Sequence, residues 1–149
     1  MFDLSDCDVF DISMMMHKNM LSWPGERHKF FHEYVKSTSK GDSFNVSRVS
    51  CSMHTGTHID APFHKISNGD KLDSISIKRF MGKAKVIDLM HVEQKITLTD
   101  LLNQDLDNCD VCLLKTKNTL LMNNSNFNPD YIVLDIEAAK FLVEKNIKA

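Results

Sequence analysis

Thirteen residues, 52–64, carry three histidines and one aspartate in the sequence SMHTGTHIDAPFH. A glycine, a proline and several β-branched residues make an α-helix unfavourable here, so the pattern predicts an extended strand. Side chains two residues apart share one face of a strand, which would place His54, His58 and Asp60 together. Gly56 lies between the histidines on that face and leaves the space between them open. This stretch constrains the chain more than any other, because any fold has to keep the face that carries these three side chains accessible.

Two imidazoles and one carboxylate form a donor set typical of catalytic zinc sites, which keep a position open for water or substrate. The mixed nitrogen and oxygen donors also suit manganese, so the residues alone leave the metal open. His64 follows a proline that ends strand pairing, and it is either a fourth ligand or a general acid and base. So many potential ligands in one short stretch favour a metal site over an exposed polar strand.

The chain has 149 residues, and we predict a single domain over residues 1–149 with its own core. The net charge is −2, and Lys and Arg are scattered, which argues against nucleic acid as a partner. No apolar run approaches the roughly 20 residues that span a bilayer. The first eleven residues hold four aspartates and no positive charge, unlike a secretory signal. We therefore predict a cytoplasmic protein with no membrane partner.

Cys109 and Cys112 form a C-x-x-C pair, a spacing that occurs in zinc and redox sites. The surrounding sequence CDVCLLKT is strand-like, and on a strand residues three apart point to opposite faces. The sequence holds no second C-x-x-C to complete a zinc cage, and a reducing compartment argues against disulfides. We therefore predict diverging, buried, structural cysteines.

Periodicity and turn residues predict the order of secondary structure. Turn-forming residues place loops at 65–71 and 122–130. Thr99 is a candidate N-cap of one helix, while Asp135 caps the last helix and Asn146 closes it. A hairpin followed by alternating strands and helices predicts a mixed α/β domain with a mixed sheet. The predicted elements are strands at 9–13, 84–90 and 111–116, a hairpin of 28–37 with 43–54, a short helix or irregular segment at 75–82, and helices starting at 98 and 136.

Several segments of the sequence resemble those of one family in both order and spacing. HTGTHIDAPFH at 54–64 resembles the signature of the metal-dependent cyclase family, whose best-known members are bacterial kynurenine formamidases. The resemblance covers nearly the whole chain. The other matching segments are DIS at 11–13, WPG at 23–25, GDSFNVS at 41–47, GKAKVIDL at 82–89 and EAAKFLVEKNI at 137–147.

The resemblance implies a role for each matching site residue. His54, His58 and Asp60 would bind the metal, with Asp60 able to bridge two ions, and His64 would be the catalytic acid and base. Trp23 would line the substrate pocket and stack on an aromatic ring, although the residues alone favour a core or loop anchor. The implied reaction is hydrolysis of a small amide, N-formyl-L-kynurenine, to L-kynurenine and formate in tryptophan catabolism. The implied cofactor is zinc, with manganese as the alternative, as one or two ions.

The resemblance also implies a swivelling β/α/β-type domain with a mixed sheet or barrel-like core, assembled as a homodimer or a larger homo-oligomer. Family members continue beyond the last helix into strands that supply a further histidine and glutamate, so we expect this chain to lack its C-terminal strands. His91, Glu93, Glu137 and Glu144 match no family ligand. The alternatives are a metal-binding remnant without catalysis and a hydrolase of another small cyclic amide, ester or lactone.

Overall fold

A computed structural model describes residues 6–122 and 127–149. The fold has the mixed α/β class that the sequence predicts. The chain divides into two units, Met1–Ile59 and Asp60–Ala149, and the single domain predicted over the whole chain stays a prediction. Single turns of 3-10 helix lie at Thr38–Lys40, Pro62–His64, Leu72–Ser74 and Ile77–Phe80. The strands and α-helices are β1 (Phe31–Lys36), β2 (Val46–Ser50), β3 (Ala84–Asp88), β4 (Lys95–Ile96), α1 (Leu98–Leu101), β5 (Val111–Lys115), α2 (Asn118–Leu121), β6 (Val133–Leu134) and α3 (Ile136–Glu144).

The first unit contains the predicted hairpin, in which β1 and β2 pair antiparallel. Glu33 lies opposite Arg48 in the register, and their side chains form an ion pair of 2.5 Å. Gly41 takes a φ of 91° in the connection between the strands, a conformation that glycine adopts without steric cost. None of the described residues from 6 to 59 is buried, so this unit has no apolar core among them.

The strand predicted at 9–13 is wrong, because the described residues there form no strand. The Asp11 carboxylate accepts hydrogen bonds from the backbone N–H of Ser13 at 2.8 Å and from its hydroxyl at 2.6 Å. Such local side-chain bonds compete with strand pairing. The apolar residues of this segment are therefore poor evidence for a strand.

The second unit holds the core and two parallel strand pairs, β3 with β5 and β4 with β6. Each sheet has two strands, and the described part of the chain contains no closed barrel. The predicted strands at 84–90 and 111–116 are confirmed, and the segment 75–82 contains a short 3-10 helix. The buried core consists of Ile87, Leu89, Val92, Ile96, Leu101, Leu106, Ile132, Ala138 and Leu142.

Both predicted helices of this unit form, but the capping residue of one differs from the prediction. Asp135 caps α3, because its Oδ1 accepts a hydrogen bond of 2.7 Å from the backbone N–H of Ala138. Asn146 follows the helix with a φ of 59°, as a closing residue requires. The predicted cap of α1 at Thr99 is wrong, since the N-cap is Thr97. The carboxylate of Asp100, three residues later, accepts hydrogen bonds from Thr97. These bonds fix Thr97 as the N-cap at which the helix begins.

The loop predicted at 122–130 lies partly outside the described residues, which omit 123–126. Its described residues 127–130 belong to no helix or strand. Among the residues that the structure describes, every helix is too short or too polar to cross a bilayer.

Candidate metal centre

The segment that carries the histidines is a series of turns and bends from Met53 to Thr57, so the extended strand predicted there is wrong. Gly56 takes a φ of 65°, the left-handed conformation that residues with a side chain rarely adopt. Extended backbone would need a negative φ at this position. The glycine therefore bends the chain, which is a different role from the spacer that the sequence suggested.

The turn still brings the three predicted ligands together. Each of His54, His58 and Asp60 offers one donor atom, and these atoms all lie within 4.8 Å of one another. His54 Nδ1 lies 3.2 Å from His58 Nε2, and the two rings are nearly perpendicular at 77°. All three residues are exposed, so the cluster is accessible to an ion and to a small molecule.

The spacing of the donors can be compared with what zinc requires. Two nitrogens bound to a tetrahedral zinc at about 2.0–2.1 Å are separated by roughly 3.3 Å. The observed separation of 3.2 Å between the two imidazole nitrogens agrees with this value. Together with a carboxylate oxygen, the donor set fits a divalent cation such as zinc or manganese. The residues present therefore suit the metal that the sequence predicts.

Two contacts of the turn hold these ligands in place. His58 Nδ1 lies 2.9 Å from the carbonyl oxygen of Gly56. The Thr57 hydroxyl oxygen accepts a hydrogen bond of 2.8 Å from the backbone N–H of Met14, which connects the turn to a distant part of the first unit. Neither contact is predictable from the pattern of residues. The only local signal was a glycine two residues before a histidine, and it does not show where a carbonyl group points.

The other two predicted site residues lie outside this three-residue group. His64 is the last residue of the 3-10 helix Pro62–His64, and its backbone N–H donates to Ala61 O at 2.8 Å. Trp23 is 58% exposed, and its carbonyl oxygen accepts from the Glu26 N–H at 3.0 Å in a turn. The exposure of Trp23 disfavours a core anchor. The roles of both residues stay predictions.

Three of the four residues that match no family ligand have other partners. The His91 ring is exposed, and its Nε2 lies 3.2 Å from Asp100 Oδ1. Glu93 forms an ion pair with Lys117, and Glu137 pairs with Lys140 at 2.8 Å. Each of these three contacts lies inside the second unit, and none of the residues involved belongs to the three-ligand group. The structure therefore supports leaving these residues out of the candidate metal centre.

The C-x-x-C pair differs from its prediction. Cys109 is buried and Cys112 is half-buried, but their sulfur atoms lie only 3.7 Å apart and do not diverge. The reason is that β5 begins at Val111, so Cys109 precedes the strand and does not follow its alternation. Among the described residues, no third ligand joins the two thiols in a group that could hold a metal ion.

The fold is mixed α/β, and three of its residues form a group that could hold a metal ion. A family model described as "Putative cyclase" matches residues 10–149. The chain therefore belongs to this cyclase family, which confirms the family that the sequence motifs predicted.

Curated relatives and solved structures agree with this assignment. The chain is 36% identical to the kynurenine formamidase of Bacillus mycoides (strain KBAB4) and 35% identical to that of Bacillus cereus (strain ZK / E33L), each over 139 residues. These alignments cover 93% of this chain and 64% of each relative. The chain thus spans slightly less than two thirds of the length of these relatives.

Two solved structures have a similar fold. One is described as "The Structure Of Potential Metal-Dependent Hydrolase With Cyclase Activity", with a TM-score of 0.73 and 29% identity over 93% of this chain and 63% of that chain. The other is described as a predicted metal-dependent hydrolase from Bacillus stearothermophilus, with a TM-score of 0.71 and 28% identity over 93% and 64%. These likenesses confirm the predicted fold class.

Proposed function

We propose that this protein is a metal-dependent hydrolase of a small amide, with N-formyl-L-kynurenine as substrate and L-kynurenine and formate as products. The observation that carries the proposal is the cluster of His54, His58 and Asp60, whose donor atoms lie within 4.8 Å of one another. The kynurenine formamidases at about one third identity support the choice of substrate. Solved structures described as metal-dependent hydrolases support the reaction class.

The proposed ligands of the metal are His54, His58 and Asp60, and the proposed metal is zinc, with manganese as the alternative. The number of ions is one or two, since a carboxylate such as that of Asp60 has two oxygens and can contact two cations. When bound, the metal supplies Lewis-acid activation of water and of the substrate carbonyl group. Three protein ligands leave a position open for this purpose.

The remaining proposed roles belong to His64 and Trp23. His64 is the proposed general acid, because an imidazolium can donate a proton to the leaving aniline nitrogen as the amide bond breaks. The exposed indole of Trp23 offers an aromatic face on which the ring of an aryl formamide can stack. The substrate is thus a small molecule with an aromatic ring next to its amide.

Two neighbouring functions compete with this proposal. A protein that binds metal through His54, His58 and Asp60 without turnover is the second candidate, because these residues alone account for the ligand group. A hydrolase of another small cyclic amide, ester or lactone is the third, and one structural relative is described as having cyclase activity.

We further propose that the protein is cytoplasmic and that it forms a homodimer or a larger homo-oligomer.

The proposal is tested by loading the protein with zinc and measuring metal content and hydrolysis of N-formyl-L-kynurenine. His58→Ala should lose zinc and turnover together, because it removes a ligand. His64→Ala should keep zinc but lose turnover by about 10²–10⁴-fold, the usual contribution of a general acid. His91→Ala is the matched control, since His91 is exposed and lies outside the cluster, and it should change neither quantity.

Each function predicts a different result. Bound zinc without hydrolysis of any amide, ester or lactone supports the protein that binds metal without turnover. Hydrolysis of esters or lactones but not of the formamide supports the third candidate. If zinc content is unchanged by His58→Ala, the proposed metal centre is wrong.

A further inference from the structure

We propose that Gly56 is a positioning residue of the metal centre, because its carbonyl oxygen selects which nitrogen of His58 binds the ion. The inference rests on the proposed metal site, but it concerns a feature that is also measurable in the metal-free protein. The carbonyl oxygen of Gly56 lies 2.9 Å from His58 Nδ1. It assigns Nδ1 as the protonated nitrogen and Nε2 as the metal-binding nitrogen.

A neutral imidazole has one N–H donor and one nitrogen with a lone pair. A carbonyl oxygen can only accept a hydrogen bond, so the nitrogen facing it carries the proton. The lone pair of His58 is therefore on Nε2, the atom that lies 3.2 Å from His54 Nδ1 within the ligand cluster. Metal-binding histidines commonly use the second nitrogen in this way, and the bond fixes both tautomer and ring orientation.

The position of this carbonyl group depends on glycine. Gly56 has a φ of 65°, and a Cβ added there would lie 3.3 Å from Met20 Cε and 3.7 Å from Met16 Cγ. A side chain would therefore meet both backbone strain and a close neighbour. The methyl end of Met20 can shift to relieve the close contact, but relieving the backbone strain requires rotation of the backbone at residue 56. That rotation would move the carbonyl oxygen away from His58. The next residue is held independently by the Thr57 contact with Met14.

The first test is made on the unmodified chain. In ¹⁵N-labelled, metal-free protein, long-range ¹H–¹⁵N spectra should show His58 as the Nδ1–H tautomer. After zinc is added, the signal of Nε2 should shift by coordination while Nδ1 keeps its proton. An Nε2–H tautomer in the metal-free protein, or coordination of zinc through Nδ1, would overturn the proposal. This measurement does not depend on any variant folding.

The second test compares two glycines that both have a positive φ. Gly41 also has a positive φ, of 91°, but a Cβ there would meet nothing within 4 Å. Gly56→Ala should weaken zinc binding by about 10–100-fold, the usual effect of losing a partner of a metal ligand. Gly41→Ala should leave the zinc Kd unchanged. Equal effects of the two substitutions would contradict a specific role for residue 56.

A third comparison separates the effect of the carbonyl position on zinc binding from the effect of steric crowding. In a Met20→Ala background the contact that a new Cβ would make is removed, so crowding alone no longer explains a loss. Gly56→Ala should still weaken zinc binding in that background and should lose the Nδ1–H tautomer of His58. Full recovery of zinc affinity would overturn the proposal. If the unmodified protein binds no zinc, the proposed function fails, while the tautomer of His58 still decides this inference.

Discussion

The two thiols of the C-x-x-C pair show how a local environment changes the chemistry of a residue. Burial is the main cause that raises the pKa of Cys112 to about 11, and the hydrogen bond with Cys109 adds to it. The Cys109 thiol in turn donates to the carbonyl oxygen of Val111 at 3.2 Å. Since the thiolate is the nucleophilic form, a raised pKa makes a thiol less reactive at neutral pH. The pair is therefore suited to a structural role, which stays a prediction.

This environment predicts slow alkylation of Cys112 at pH 7.5 compared with Cys7, which is exposed. An increase from 9.0 to about 11 lowers the thiolate fraction by about 100-fold, a factor of ten for each unit. The rate for Cys112 should rise tenfold for each pH unit and level off only near the raised pKa. Iodoacetamide labelling followed by peptide mass spectrometry measures both rates. Labelling of Cys112 as fast as Cys7 in folded protein would contradict the prediction, and urea-unfolded protein is the control.

At the scale of secondary structure, α1 shows how a short helix gains a defined start. The Asp100 carboxylate accepts hydrogen bonds from the N–H and the hydroxyl of Thr97 at 2.7 and 2.6 Å. These bonds hold the pKa of Asp100 below its ordinary value. The contribution to stability is therefore present above the unfolded pKa near 4 and is lost as the pH falls through the lower folded value. The cap positions a helix of only four residues, too short to form alone.

The next two residues of this segment offer a matched pair of substitutions. Leu101 is fully buried and belongs to the core, whereas Leu102 is 54% exposed. Leu101→Ala should lower the free energy of unfolding by about 2–5 kcal/mol, because it removes buried methyl groups and leaves a cavity. Leu102→Ala should change it by less than about 0.5 kcal/mol. Urea unfolding followed by circular dichroism measures both values, and equal losses would show that α1 does not dock on the core as described.

At the scale of the whole molecule, the burial of side chains is uneven along the chain. The buried core lies entirely in the second unit, while none of the described residues 6–59 is buried. Backbone hydrogen bonds that pack on a core open less often than those exposed to solvent. The two strand pairs β1–β2 and β3–β5 should therefore differ in their dynamics.

We predict that amides of β3 and β5 exchange with deuterium more slowly than those of β1 and β2. The reason is that β3 carries Ile87, which is 4% exposed, into the core, whereas the hairpin has no buried side chain. Hydrogen exchange with mass spectrometry, on a dilute sample without metal, measures both strand pairs in one experiment. Equal or greater protection of the hairpin would show that it is covered in solution.

The sequence predicts those elements of the fold that have a local residue pattern, and it does not predict those that depend on distant contacts. The hairpin, β3, β5 and α3 were predictable, because alternation, apolar runs and an aspartate cap are local patterns. The strand at 9–13 and the cap at Thr99 were predicted wrongly, because competing side-chain hydrogen bonds are made by polar groups that periodicity does not include. The short strand β6 depends on pairing with β4, which no local pattern contains.

By itself, the sequence determined the family, the mixed fold class and the identity of the candidate ligands, because these depend on residue types and their spacing. Tertiary structure decided how His54 and His58 meet. The left-handed Gly56 bends the chain, where alternation along a strand had predicted a flat face. It also decided which nitrogen of His58 faces the cluster and that the two thiols approach. Such features depend on where carbonyl groups point and where strands begin, and these follow from contacts between distant residues.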